Sequence, residues 1–199
     1  DTYTLSVKKY MMREKKDKYK YRIITVPNIL SMCRIALIPA IIWLYCGKGE
    51  HDTAGYVLLI SGFTDILDGL IARGFNMVSN FGKLLDPVAD KLTQISILFC
   101  LLTRFPLAAI PLALLLIKDS VNSVQGAMVL RKTGGVHSSR WHGKLSTLLL
   151  YAVMLIHFFW VDITPTVSNI TLSACALMIL ISFVLYTFRN MKILRDRSR

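Results

Sequence analysis

The chain has 199 residues, of which 54% are hydrophobic and 18% charged, with a mean hydropathy of +0.50. That balance excludes a soluble enzyme with a surface rich in Lys and Glu and leaves a single compact bundle of membrane helices as the expected class. The net charge of +12 calls for an anionic partner, and in so apolar a chain that partner is anionic membrane lipid rather than nucleic acid.

Residues 1–28 hold eight Lys and Arg interleaved with Tyr10, Met11, Met12, Tyr19, Tyr21, Ile23 and Ile24. Two readings stand side by side: an interfacial helix lying on anionic headgroups over 8–28, or a basic flank that only orients the first span. Residue 1 is Asp, so a processed start, or a native start at Met11 or Met12, is expected. Six apolar stretches follow, at about 29–46, 55–73, 82–103, 106–130, 144–161 and 167–188, each near the twenty or so residues that cross roughly 30 Å of hydrocarbon. Gly47-Lys48-Gly49-Glu50, Phe105-Pro106 and Asp162-Ile163-Thr164-Pro165 supply turns between them. Cys33, Cys46, Cys100 and Cys175 lie inside apolar runs as small hydrophobes, with no disulfide framework expected.

The expected fold is therefore all-α: a basic segment over 1–28, six membrane helices over 29–190 and a basic tail over 191–199. Lys and Arg set its orientation. Nineteen of the 24 fall in the leading segment, in the turn after the second span, in the loop 131–144 and in the tail, while the alternate loops hold only Lys48 and Arg104. The positive-inside rule then puts both termini in the cytoplasm, which an even number of spans satisfies. Trp43, Trp141 and Trp160 fall near span ends, as an interfacial aromatic belt requires.

Four acids contradict a purely structural reading. Asp65, Asp68, Asp86 and Asp90 fall in the second and third stretches, where an unpartnered carboxylate costs at least a few kcal/mol. On a helix Asp65 and Asp68 lie about 60° apart and Asp86 and Asp90 are nearly eclipsed, so each pair shares a face. The segment 74–80 can turn the chain between the two helices and bring all four acids toward the cytoplasmic end. Oxygen ligands without His or Cys partners suit a hard cation such as Mg2+, Mn2+ or Ca2+. Gly69, Ala72 and Gly82 give a bulky ligand close access to backbone, and Arg73 offers a planar fork for phosphate. Phosphoryl transfer fits this set. A cation or proton pathway, or acids simply placed in cytoplasmic turns, are the alternatives.

The run from Asp65 to Arg73, then eight residues, then Gly82 to Asp90 reads D-x2-D-G-x2-A-R-x8-G-x3-D-x3-D. It resembles, at every specified position, the signature of the CDP-alcohol phosphotransferase family. Pro27-Asn28-Ile29-Leu30-Ser31-Met32-Cys33-Arg34 also resembles the opening of that family's first membrane helix, and the likeness covers roughly 25–190. The resemblance implies transfer of a substituted phosphate from a CDP-linked alcohol to an acceptor hydroxyl with release of CMP, in a homodimer using Mg2+ or Mn2+, two ions in all. It implies Asp65, Asp68 and Asp86 as metal ligands, Asp90 completing the site and acting as general base, and Asn28, Ser31, Asp68, Gly69, Ala72, Arg73 and Gly82 lining the nucleotide and diphosphate pocket.

For the acceptor, Leu85-Asp86-Pro87-Val88-Ala89-Asp90-Lys91 resembles the branch that makes phosphatidylglycerol phosphate from CDP-diacylglycerol and glycerol 3-phosphate, and also the branch that makes cardiolipin from CDP-diacylglycerol and phosphatidylglycerol. Both acceptors carry a phosphate. Lys91, Lys118, Arg140, Lys144 and Arg34 are the candidate contacts. Trp141-His142-Gly143-Lys144-Leu145-Ser146-Thr147 resembles the W-x-G-K-x-x-T stretch of the glycerophosphate users, whereas Lys118-Asp119 is similar to the Arg-Asp of the cardiolipin branch. Structural readings remain open: Lys118 with Asp119 as helix-pairing charges, Arg140 with Lys144 as interfacial anchors, and Arg34 as partner of the acidic cluster.

Overall fold

The computed structural model describes residues 25–74, 81–133 and 141–196, with the side chains of 27, 66, 68–74, 83, 84, 132, 133, 141, 142 and 196 outside that description. Among the described residues the chain forms six α-helices and no strand: α1 (Val26–Ile42), α2 (His51–Gly74), α3 (Gly82–Leu102), α4 (Ala109–Thr133), α5 (Trp141–Phe159) and α6 (Pro165–Asp196). Each coincides with one apolar stretch. The interfacial segment expected over 8–28 lies outside the described residues up to 24, and Val26–Asn28 already belong to α1.

Both ends of α1 and the end of α6 differ from the sequence expectation. Helix α1 starts at Val26 because Thr25, in an extended conformation, caps it by accepting from the Asn28 amide at 3.4 Å, with Pro in the first turn where no N–H is needed. Its C-terminal end does not stop at residue 46. The backbone widens into a π-helical turn over Trp43–Lys48 and closes at Gly49, whose φ of 71° is left-handed and favours glycine. At the far end of the chain, α6 runs on through the basic residues to Asp196.

Three stretches are long and apolar enough to cross a membrane by length and composition: Asn28–Lys48, Pro106–Arg131 and Pro165–Arg195. Helices α2 and α3 carry the four acids, and the apolar part of α5, Gly143–Phe159, is shorter. Large apolar side chains face outward; Phe63, Leu148, Ile170 and Phe188 are 61–70% exposed. Each side chain of that kind gains about 1.5–3 kcal/mol on leaving water, so outward faces built from them fit lipid. The chain is an all-α membrane protein. All four cysteines are free thiols.

The chain divides into two compact units, one ending at Ser96 and the other starting at Ile97. In the first, α1 buries a single stripe at helical spacing, Asn28, Ser31, Arg34, Ile38, Ile41 and Tyr45, that changes from polar to apolar along its length. Helix α2 returns antiparallel and buries Ala54, Leu58 and Ser61 before reaching Asp65, with the Tyr45 and His51 rings tilted at 59° and their centroids 4.4 Å apart at the turn. The polar half of the α1 stripe thus meets the acidic half of α2.

In the second unit α6 packs against α4 and α5. Asn190 donates to Gln125 across α6 and α4 at 3.2 Å. The α5–α6 hairpin is closed by His157, which lies 2.8 Å from the Val153 carbonyl and 2.9 Å from the Ser168 hydroxyl with no solvent exposure. A carbonyl only accepts, so the ring donates from Nδ1. Arg104 in the α3–α4 turn donates to the Val161 carbonyl in the α5–α6 turn.

Candidate active site

The site lies in the first unit, where α1, α2 and α3 each contribute one side of a polar cluster. Ser31 and Arg34 are three residues apart on the buried stripe of α1, so they point to one side of the helix, about 60° apart. Arg34 Nη2 pairs with Asp65 Oδ1 on α2 at 2.5 Å. Ser31 Oγ donates to Asp86 Oδ1 on α3, also at 2.5 Å. One turn further along α3, Gln94 Nε2 donates to Asp90 Oδ2 at 3.0 Å. Three acids of the motif are therefore each held by a buried donor at one oxygen.

Those acids are also electrostatically joined, since Asp65 senses Arg34, Asp90 and Asp86. Among the described contacts one guanidinium faces three mutually coupled carboxylates, a setting that suits a cation. The donors present are carboxylate oxygens and, one turn before Asp65, the Ser61 hydroxyl, which is 1% exposed and has no hydrogen-bond partner among the described residues. A carboxylate offers about four lone-pair sites, so the Arg34, Ser31 and Gln94 bonds described do not by themselves saturate these acids. This is a donor set for a hard divalent ion rather than for zinc or a soft metal. Among the described residues no three His, Cys, Asp or Glu stand close enough together to hold a metal ion. Asp68, the fourth acid, lies on α2 with its side chain outside the description.

The other residues singled out from sequence fall as follows. Asn28 is buried on the α1 stripe, and Gly82 is buried at the start of α3, four residues before Asp86. Gly69, Ala72 and Arg73 lie on α2 and their side chains are outside the description, as is Arg140 altogether. Lys91 is half-buried beside Asp90. Lys118 and Lys144 belong to the second unit, the first half-buried on α4 within electrostatic reach of Cys175 and the second exposed on α5. Arg34, one of the acceptor candidates, pairs with Asp65.

Gln94 was not singled out from the sequence. Its signal was a polar residue four positions after Asp90 within an apolar run, the spacing at which helix side chains meet.

The helices and this cluster define a class: an all-α membrane protein carrying an oxygen-rich, arginine-compensated acidic site. A profile of the family described as CDP-alcohol phosphatidyltransferase matches residues 24–189. The chain belongs to that family. It is 36% identical over 141 residues to a Streptomyces coelicolor protein named cardiolipin synthase (CMP-forming), covering 68% of this chain and 66% of that one. It is 32% identical over 149 residues to the Bacillus subtilis CDP-diacylglycerol--glycerol-3-phosphate 3-phosphatidyltransferase, covering 66% of this chain and 77% of that one. A cardiolipin synthase (CMP-forming) of Rattus norvegicus is 40% identical over 108 residues, which are 54% of this chain and 35% of the rat protein. The chain thus spans only part of the length of these relatives.

Proposed function

We propose that the protein transfers a phosphatidyl group from CDP-diacylglycerol to the hydroxyl of a phosphate-bearing alcohol, glycerol 3-phosphate in the first reading, giving phosphatidylglycerol phosphate and CMP. The observation that carries it is the pinned trio Asp65, Asp86 and Asp90 at the motif positions of a family to which the chain belongs. A second reading, phosphatidylglycerol as acceptor and cardiolipin as product, is supported by the relatives named cardiolipin synthase. Family membership speaks against the cation or proton pathway.

Asp65, Asp68 and Asp86 would hold the divalent ions, Mg2+ or Mn2+ and two in number. Bound there, these ions supply charge neutralisation on the diphosphate and the departing CMP. Arg34 fixes Asp65 and Ser31 fixes Asp86, so the ligands stand ordered before substrate arrives. Asn28, Gly69, Ala72, Arg73 and Gly82 receive the nucleotide and diphosphate. Asp90 takes the proton of the acceptor hydroxyl as that oxygen bonds to the phosphorus bearing diacylglycerol. The bond from this phosphorus to the bridging oxygen breaks, and CMP leaves with the electron pair. Lys91, Lys118, Arg140 and Lys144 are the proposed contacts of the acceptor phosphate.

The same reading holds the chain as six spans with both termini and the site on the cytoplasmic side, residues 8–28 on anionic lipid and the protein a homodimer. It is supported by the side on which Lys and Arg gather. A tag at either terminus labelled from outside intact cells would sink that orientation. The reaction is tested by incubating purified protein with CDP-diacylglycerol and Mg2+ and, in turn, glycerol 3-phosphate, phosphatidylglycerol, inositol phosphate and serine. CMP release with glycerol 3-phosphate is expected, release with phosphatidylglycerol alone selects the second reading, and release with none of the four rejects both.

A further inference from the structure

We propose that Gln94 is a positioning residue for Asp90, its amide holding one carboxylate oxygen so that the other faces the acceptor hydroxyl. The inference rests on the reading of Asp90 as the proton acceptor.

Two polar residues are buried one turn beyond Asp90 on α3, Thr93 at 1% and Gln94 at 4% exposure. Thr93 gives its hydroxyl to the Ala89 carbonyl of its own helix at 2.8 Å, a bond that satisfies it locally. Gln94 turns the other way, and its Nε2 donates to Asp90 Oδ2 at 3.0 Å. Replacing both partners of such a bond by apolar groups is close to neutral, whereas removing the amide alone takes from Asp90 Oδ2 the donor it has here. Beyond Gln94 the buried residues of α3 are apolar, namely Ile97, Leu98, Cys100 and Leu101.

Asp90 has a use for such a donor. The terminal torsion of an Asp is broad and roughly two-fold, so a carboxylate on a helix swivels unless something holds its plane. Asp65 is held by Arg34 and Asp86 by Ser31, both from α1. Asp90 is held from its own helix, by a neutral donor at a distance fixed by the i, i+4 spacing.

The test compares wild type with Gln94→Met, which keeps length and loses the donor, and Gln94→Glu, which keeps length and sets a like charge against Asp90. Gln94→Met is expected to lower kcat about 10-fold, the scale of a misoriented reacting group, and Gln94→Glu to lower it further. The KM for CDP-diacylglycerol and its Mg2+-dependent equilibrium binding stay within about 2-fold, because orientation and not donor binding is lost, while the Tm of Gln94→Met falls modestly as Asp90 Oδ2 loses its donor. In the Asp90→Asn background Gln94→Met adds no further loss. Should Gln94→Met fail to fold, Gln94→Glu carries the same comparison. Wild-type kcat in both variants, or donor binding that weakens in step with kcat, overturns the positioning role. Near-normal turnover in Asp90→Asn would instead overturn the reading of Asp90 on which it rests.

Discussion

The side chain of Arg34 is 2% exposed and that of its partner Asp65 is 45% exposed, so one ion pair of 2.5 Å joins a buried guanidinium to a half-exposed carboxylate. The guanidinium is the fixed end and the carboxylate the working end. Substituting Arg34 by Met removes the hold on Asp65 and strands its charge beside Asp86 and Asp90. Because Asp65 is nearly half exposed, the stability lost falls below the 3–5 kcal/mol of a fully buried broken pair, to about 1–3 kcal/mol. We expect a lower Tm in detergent and at least about a 10-fold loss of CMP release. Arg34→Lys keeps the charge without the fork and should fall between. An Arg34→Met enzyme with unchanged Tm and turnover would show the pair to be incidental.

The acids divide by what is lost. Asp65→Asn, Asp68→Asn and Asp86→Asn each remove ligand charge and should weaken Mg2+-dependent binding of CDP-diacylglycerol, read by equilibrium titration. Asp90→Asn should nearly abolish turnover while much of that binding survives, since the missing function is proton removal. Equal loss of binding in all four would make Asp90 chiefly a ligand. Near-normal turnover in all four would end the phosphotransferase reading.

Acceptor recognition is read through KM. If Lys144 or Arg140 contacts the acceptor phosphate, its substitution by Ala removes a charge-assisted bond of about 1.5–3 kcal/mol and raises acceptor KM about 10-fold or more, with donor binding mostly intact. Unchanged acceptor kinetics in both variants would leave them as interfacial anchors.

Gly143 and Tyr186 give a structural prediction. A Cβ placed on Gly143 would meet Tyr186 Oη at 2.5 Å and the ring at 3.0 and 3.2 Å, and the Arg189 guanidinium lies 5.1 Å over the same ring. In Gly143→Ala the overlap, about 1–3 kcal/mol, outweighs the gain of about 1 kcal/mol in helix propensity, so Tm should fall modestly. Tyr186→Phe in that background removes the shortest contact and should recover part of the loss. Strict additivity of the two changes in Tm would contradict the contact.

Much was legible from sequence because it is local. Twenty-residue apolar runs, turns at Gly49 and Pro106, acids at helical spacing and the motif itself are properties of neighbouring residues, and the six helices fall where those patterns put them. The limit shows at Trp43–Lys48, where hydropathy marks an apolar end but carries no sign of a π turn, and at α6, where basic residues that read as a tail continue the helix. The pairings belong to tertiary structure. Nothing along the chain matches Ser31 with Asp86, 55 residues away, or chooses Asp65 over a substrate phosphate as the partner of Arg34. Those choices arise because α1 buries its polar stripe against α2 and sends Ser31 to Asp86 of α3, where an unpaired hydroxyl or guanidinium is costly and the nearest carboxylate takes it. The sequence by itself determined which residues carry the charge and on which helices; packing decided which donors hold Asp65 and Asp86.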